Sequence, residues 1–541
     1  MEHKIITTRS QQSKAIAFGL LLTAIIASLL ASPKWGIPVF TWVAPPCLLY
    51  YFRHVKIKRK FLWGSLALIF AYVLPAYNVD PFPLPVIVVF GILLSLEKMI
   101  VFLLDSWINR KSNRFITTLF FPAACIAMEY LNTSLSGGNW WSVANTQYPF
   151  TWLSQLASVT GMWGIGFFIY WFASAIAWSV DRYTRKEDYR TGLTVYSLCL
   201  GLILLFGFIR YNFSSPQNGR TVKMAGLSVP LINLWETIYK DYSGKAIKVD
   251  PKYSMTSPEL KKVNQAEIAF IENPADPKFR LSIAEMSKVN DSLFVLSQGA
   301  AKAGAKIICW SEGNAVIFKT GEQRLLERGK AFAAKNKVYL MMTIGLVHPG
   351  KIYPGKKFME NEAVLISPGG QVLNTFHKNN PVPMIEATEP GDGNIPVTTT
   401  SYGRIATSIC YDADFPFQMR QISQKKADAI MLPSGDWYAI SPYHTYMAVS
   451  RGIENGCSVI REVSEGLSIA TDYRGKTYAA MDYFKDGTKL WIADVPLGHV
   501  WTIYSAIGDL FAFLCIGFTA VSLVYWALIA KLNKPGIAFA G

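Results

Sequence analysis

Three residues of this 541-residue chain have the types and the placement for covalent catalysis. Glu312 follows the strand-like run ending IICW, Lys378 closes the run ending NTFH, and Cys410 closes IATSIC. A free thiol has a pKa of about 8.5, so only a few per cent is thiolate near neutral pH. A base must therefore take its proton as the sulfur attacks. Glu312 would be that base, and would return or remove protons in a second half-reaction. A carbonyl attacked by sulfur becomes a tetrahedral oxyanion. Lys378, with the backbone N–H of Tyr411, would stabilise it, and one such donor is worth roughly 10²–10³ in rate. Taken singly, each residue has a plainer reading: Glu312 and Lys378 as an ion pair, and Cys410 as an inert buried thiol.

These groups converge only if strands and helices carry them to one end of a sheet. Between about Tyr211 and Ser505 the composition is that of a globular domain. Strand-like runs fall at 221–229, 306–310, 338–346, 362–367, 371–377, 404–410, 429–433, 458–463, 467–472 and 490–495. Helical stretches Leu281–Ala303, Glu322–Asn336, Phe417–Lys426 and Tyr443–Asn455 alternate with them. Pro368-Gly369-Gly370 and Arg474-Gly475 read as hairpin turns. The mixture predicts an α/β domain with sheets between helical layers. Side chains at the C-terminal ends of such strands share one crevice. Lys240–Lys278 is polar without a clear period and is expected to be a surface loop or lid.

The seven cysteines and six histidines hold no CxxC, no HExxH and no cysteine–histidine spacing of a zinc site. Cys47, Cys125, Cys199 and Cys515 lie in apolar runs and read as packing residues. Cys309 and Cys457 could pair and leave Cys410 free; two buried thiols on strands is the expected arrangement. A dyad of Cys410 with His444 or His377 is an alternative to the glutamate base. No metal and no cofactor is expected.

The rest of the chain is a different solvent problem. The sequence is 51% hydrophobic with a mean hydropathy of +0.23, and the apolar residues are clustered. A spanning helix needs about 20 mostly apolar residues. About eight candidates occur, at 15–31, 37–52, 61–77, 84–104, 115–131, 158–180, 192–209 and 506–530. The second is short and carries Pro38, Pro45 and Pro46. The first has no convincing small-residue cleavage site and reads as a retained span. The net charge of +16 sits largely in alternate short loops, around Arg53–Lys60, Arg110–Arg114 and Arg182–Arg190, with more at both ends of the chain. That pattern sets membrane topology and does not make a groove for nucleic acid. Basic loops stay cytoplasmic, so both termini are expected inside and the globular part outside. Glu97, Lys98 and Glu129 fall within predicted spans, where charge marks function or a broken, cavity-lining helix.

The order Glu312, Lys378, Cys410 at strand ends resembles the nitrilase, or carbon–nitrogen hydrolase, superfamily. The run LPSGDWYAISPYHTYMAVSRGIENGCSVIREVSEGLSIATDYRGK, the stretch FPAACIAMEYLNTSLSGGNWWSVANTQ and the layout of spans resemble its membrane branch, the apolipoprotein N-acyltransferases. Glu386 sits in VPMIE where that family tends to show VPFGE, and Asp412 stands where it often has Glu. Trp437, Arg451, Glu454 and Arg461 match family positions.

The resemblance implies an α+β membrane protein in which a nitrilase-like αββα sandwich (residues 211–505) interrupts a membrane domain. Seven helices (1–210) would precede the sandwich and a C-terminal helix and tail (506–541) follow it. It implies catalysis by Glu312, Lys378 and Cys410, with Glu386, Tyr411, Asp412 and Trp437 lining or bracing the site. The reaction implied is transfer of a fatty acyl chain from a phospholipid, through a Cys410 thioester, to the α-amine of a diacylglyceryl-cysteine apolipoprotein. The protein would be a monomer of the bacterial inner membrane with its catalytic domain in the periplasm. A membrane-anchored amidase or lipid hydrolase with the same three residues is the alternative.

Overall fold

The computed structural model describes residues 2–77, 79–214, 220–250, 252, 257–487 and 489–532. It divides into two compact units, residues 1–208 with 507–541 and residues 209–506.

Among the described residues of the first unit, six helices are long and apolar enough to span a membrane. They are Ser13–Leu30, Leu84–Asn109, Phe115–Ser134, Met162–Thr184, Arg190–Phe213 and Leu510–Leu532. Lys60–Ala76 is a shorter apolar helix. The expected span at 37–52 is instead a 3₁₀ turn, Pro38–Trp42, followed by the helix Ala44–His54. Eleven residues rise about 16 Å, roughly half a hydrocarbon core. Pro45 and Pro46 account for the start of that helix: they lack the N–H that an earlier turn would need, and the first helical turn tolerates this. The expected span at 158–180 likewise breaks at Gly161, whose φ of +65° no helix contains. Lys534, counted among the cytoplasmic basic residues, lies outside the described residues.

Several charges within this unit are partnered. Arg53 grips Asp105 through two bonds of 2.7 and 2.9 Å. Glu129 accepts from Tyr170 at 2.6 Å and Ser142 at 2.8 Å, with Lys98 at 3.6 Å. Glu97 accepts from Asn132 at 2.7 Å. Such pairing is what makes charge tolerable away from water.

The second unit is a sandwich of two sheets. The first takes β1 (Arg220–Leu227), β2 (Ile307–Trp310), β3 (Ala315–Phe318), β4 (Tyr339–Val347), β5 (Met359–Ile366) and β6 (Val372–His377). The second takes β7 (Val397–Thr400), β8 (Gly403–Thr407), β9 (Ala429–Met431), β11 (Ser458–Arg461), β13 (Leu467–Thr471) and β14 (Thr477–Asp482). Between them in sequence, β10 (Ser434–Gly435) and β12 (Val463–Ser464) form a small parallel pair. β15 (Leu490–Leu497) returns to the first sheet beside β1.

Each sheet has three parallel central strands, β1-β2-β4 and β8-β9-β11; β3 also runs parallel to β4, and the remaining strands are antiparallel outside them. Period-two alternation gives each central strand two apolar faces. Ile307, Cys309, Met341 and Leu365 meet Ile405, Met431 and Ile460 between the sheets. On the outer face of the first sheet, Ile308, Trp310 and Leu340 pack on helices Arg280–Lys302 and Glu322–Asn336. On the outer face of the second, Ile430 and Val459 pack on Ala448 of helix Tyr443–Asn455. This is the αββα sandwich expected from the resemblance.

Two local expectations are corrected. The stretch 417–426 is two short helical pieces, Pro416–Met419 and Gln421–Gln424, not one helix. The stretch 240–278 is not all loop: helix Pro258–Glu272, capped by the Ser257 hydroxyl, buries Val263, Ala266 and Phe270. Residues 251 and 253–256 of that stretch lie outside the described residues.

Candidate active site

Cys410 follows β8 and opens a 3₁₀ turn, Cys410–Asp414. Its φ is +47°, a left-handed conformation that costs a non-glycine residue about 1–3 kcal/mol. Neighbouring bonds hold it there. Its N–H donates to Pro433 O at 3.0 Å, and its Sγ lies 3.6 Å from Gly435 O. The Asp412 carboxylate accepts from the backbone N–H groups of Ile409 at 3.1 Å and Asn380 at 2.7 Å, and from Asn380 Nδ2 at 2.9 Å. Asp412 therefore ties the nucleophile turn to the segment just after Lys378, and braces the site from behind.

Glu312 stands in the connection between β2 and β3. Its Oε2 accepts from the Gly435 N–H at 2.7 Å, so Gly435 joins the glutamate to the thiol, one backbone group to each. Its Oε1 accepts from Asn361 Nδ2 at 2.8 Å and Lys378 Nζ at 2.7 Å. Oε2 keeps a second lone pair for a thiol proton. Lys378 is fully buried and also donates to Glu386 Oε1 at 2.6 Å. Burial alone would lower its pKa, but Glu312 and Glu386 outweigh it and hold the ammonium well above the usual lysine range. The Cys410 thiol is raised well above its ordinary value, by burial first and by Glu312 second, with Lys378 and Arg461 opposing. The resting sulfur is thus a thiol, and attack has to be coupled to proton removal.

The structure brings Glu312, Lys378 and Glu386 into direct contact and sets Cys410 against the same glycine. Tyr411 is half-buried, its ring edge-on to Phe415 with centroids 5.3 Å apart. Trp437 is half-buried two residues beyond Gly435.

The two histidine alternatives separate. His377 lies on the other face of the first sheet, beside Glu360 and Glu362. His444 has a ring nitrogen within 4.8 Å of Cys410 Sγ, yet both its nitrogens face carboxylates. Nδ1 is 2.7 Å from Asp436 and Nε2 is 3.1 Å from Asp414. Burial and Arg461 push its pKa down, but the two aspartates prevail and raise it to about 9. Arg461 Nη2 also stands 2.9 Å from Nδ1, so both ring nitrogens are engaged by neighbours other than the thiol. Arg461 donates to Asp436 at 2.9 Å, so this buried cluster carries its own cation beside the thiol.

Asn361, Gly435, Asp436 and Asp414 are contacts that the sequence did not disclose. Cys309 and Cys457 are free and buried on different faces of the sandwich, among inter-sheet residues and beside Ala448 respectively.

The geometry and topology together define a carbon–nitrogen hydrolase-type domain carried by a membrane-spanning helical unit. A family model described as carbon-nitrogen hydrolase matches residues 278–503. One described as apolipoprotein N-acyltransferase N-terminal domain matches residues 20–175. Together the two matches support identifying the chain with the apolipoprotein N-acyltransferases. It is 24% identical to apolipoprotein N-acyltransferase 1 of Treponema denticola, over 93% of this chain and 96% of that protein. It is 25% identical to the apolipoprotein N-acyltransferase of Geobacter metallireducens, over 94% and 93%. A deaminated glutathione amidase of Synechocystis is 29% identical, but over only 31% of this chain and 68% of that protein.

Proposed function

We propose that this protein N-acylates lipoproteins by a ping-pong reaction through Cys410. Glu312 takes the Sγ proton as the sulfur attacks the ester carbonyl of a phospholipid. The oxyanion forms against Lys378 and the Tyr411 N–H. The C–O bond to glycerol breaks, and the proton on Glu312 passes to the departing oxygen. A lysophospholipid leaves and a thioester remains. The neutral α-amine of a diacylglyceryl-cysteine then attacks the thioester, giving its proton to Glu312. The C–S bond breaks, the sulfur is reprotonated, and an amide is released.

The observation that carries this reading is the joining of Glu312, Lys378 and Glu386 behind a buried thiol, in a chain whose described residues include six helices long and apolar enough to span a membrane. Donor and acceptor are both bilayer lipids, and a tethered domain meets them in two dimensions. An α-amine has a pKa of about 7.7–8.0, so a useful fraction is nucleophilic at neutral pH. The amidase relative covers only 31% of this chain, which leaves the hydrolase alternative without a reason for the helices. We infer placement in the bacterial inner membrane with the sandwich in the periplasm and both termini in the cytoplasm. The test is intact mass after incubation with phospholipid, followed by a chase with a diacylglyceryl-cysteine peptide. A Cys410-dependent acyl adduct that moves to the peptide amine is expected. Equal loss of the adduct to water alone would make the protein a hydrolase.

A further inference from the structure

A second group of chemically capable side chains lies on the helix-covered face of the first sheet, opposite the thiol. Glu360 and Glu362 sit two apart on β5, so they share a face. His377, the last residue of β6, pairs directly across from Glu362. His348 follows the end of β4, whose Leu346 pairs with Glu360. Directly opposed residues share a face, so all four side chains emerge together from three adjacent strands.

Their donor atoms converge. His377 Nδ1 is 3.7 Å from Glu362 Oε1 and 3.9 Å from Glu360 Oε2, and His348 Nε2 contacts Glu360 Oε1. One donor atom each from Glu360, Glu362 and His377 lies within 4.8 Å of the others. Zinc bonds to imidazole and carboxylate run about 2.0–2.2 Å, which sets neighbouring donors of a tetrahedral site about 3.3–3.6 Å apart. The two His377–glutamate spacings need to close by only a few tenths of an ångström, whereas His348 Nε2 and Glu360 Oε1, now in hydrogen-bond contact, would have to part to share an ion. Glu362 is the most buried of the four, its side chain 4% exposed; it shares a side-chain hydrogen bond with Glu360, and the one basic group within 4 Å of it among the described residues is His377. A buried carboxylate normally has a cation or a full set of donors. Lys319 Nζ stands 3.7 Å from Glu360 but is bonded more closely to Glu322 at 2.8 Å, and is 43% exposed, so it can yield its place.

We propose that His348, Glu360, Glu362 and His377 form a zinc-binding site. Two imidazoles with two carboxylates favour zinc over magnesium or calcium, which prefer all-oxygen shells. The site has a structural consequence. Asn361, between the two glutamates, points to the opposite face and donates to Glu312, and Lys378 follows His377 and donates its N–H to Asn361 O at 2.9 Å. Zinc on one face would clamp the two strands that carry these groups on the other.

The experiment uses the tag-free full chain in detergent, stripped with a chelator, in a Cys410→Ala background so that the catalytic thiol cannot bind metal. Zinc is titrated calorimetrically, and cobalt is used as a spectroscopic stand-in. Expected are one zinc per chain and a tetrahedral cobalt spectrum without a thiolate charge-transfer band. Affinity should fall about ten- to a hundredfold or more in His377→Ala and in Glu362→Gln. His348→Ala, at a more exposed position, serves if Glu362→Gln fails to fold. No stoichiometric binding, or unchanged affinity in His377→Ala and His348→Ala, overturns the site. Neither result bears on acyl transfer, which is read separately from the mass adduct on native Cys410.

Discussion

Lys378 donates to Glu312 Oε1 at 2.7 Å with its side chain wholly removed from solvent. The ammonium is locked between two carboxylates, and both lose their cation if it is removed. Lys378→Met should therefore do more than delete one oxyanion donor. We expect acyl-adduct formation to fall by at least about 10³-fold. Thermal stability should fall too, because Glu312 and Glu386 then face each other unneutralised. Adduct formation within tenfold of native would remove Lys378 from the chemistry.

The two glutamates are not equivalent. Glu312 is bonded to the glycine that touches the thiol, whereas Glu386 reaches only Lys378 among the groups named here. Glu312→Gln should abolish adduct formation. Glu386→Gln should leave measurable transfer, slowed about ten- to a hundredfold. Burial raises the Glu386 pKa, with Lys378 opposing and Glu312 adding to the rise. Equal losses in the two variants would argue for shared base chemistry.

Asp412 links two loops, not two reactants. Asp412→Ala leaves the N–H groups of Ile409 and Asn380 without their acceptor, at about 1–3 kcal/mol for a buried donor. The expected result is a lower melting temperature together with slower adduct formation. Asp412→Asn, which keeps one oxygen, should fall between. A loss of rate with unchanged melting temperature would place Asp412 in contact with substrate instead.

What the sequence disclosed and what it hid have physical causes. Helices Glu322–Asn336 and Tyr443–Asn455 appear with their expected bounds, because strong periodicity and clear ends set them. Glu312, Lys378 and Cys410 could be grouped because they sit at strand ends, where position in the sheet dictates convergence. Gly435 and Asn361 were invisible: one works through its backbone and the other sits mid-strand, and neither type advertises a role. The His348–Glu360–Glu362–His377 group was hidden because its members come from three strands, and no short spacing joins them. Hydropathy also read 37–52 as one span, since it counts apolar side chains and ignores the missing N–H groups of Pro45 and Pro46.

Topology is open to direct test. The basic loops predict that a reporter inserted near Gly355 reads as periplasmic, and that one fused after Lys534 reads as cytoplasmic. A fused alkaline phosphatase should be active only at the first site and a fluorescent protein only at the second. The reverse pattern would put the thiol on the wrong side for lipoproteins that have crossed the membrane.

His444 gives the domain a pH dependence of known sign. Its pKa is about 9 in the folded state, against an ordinary value near 6.5 in the unfolded chain. A raised folded pKa stabilises fully below the unfolded value, weakens as pH climbs, and contributes nothing above the folded value. The contribution is thus complete below about pH 6.5 and gone above about pH 9, with a ceiling of about 3 kcal/mol. Glu462, raised to about 8 by burial, lowers stability over the lower part of the same range, so native protein alone cannot separate the two. The comparison with His444→Gln does, because Glu462 is common to both. Native melting temperature should fall more steeply than that of the variant between pH 6.5 and 9, and the two curves should run parallel above pH 9. Parallel curves throughout would mean that His444 is neutral in the fold, and would return it to contention as a base for Cys410.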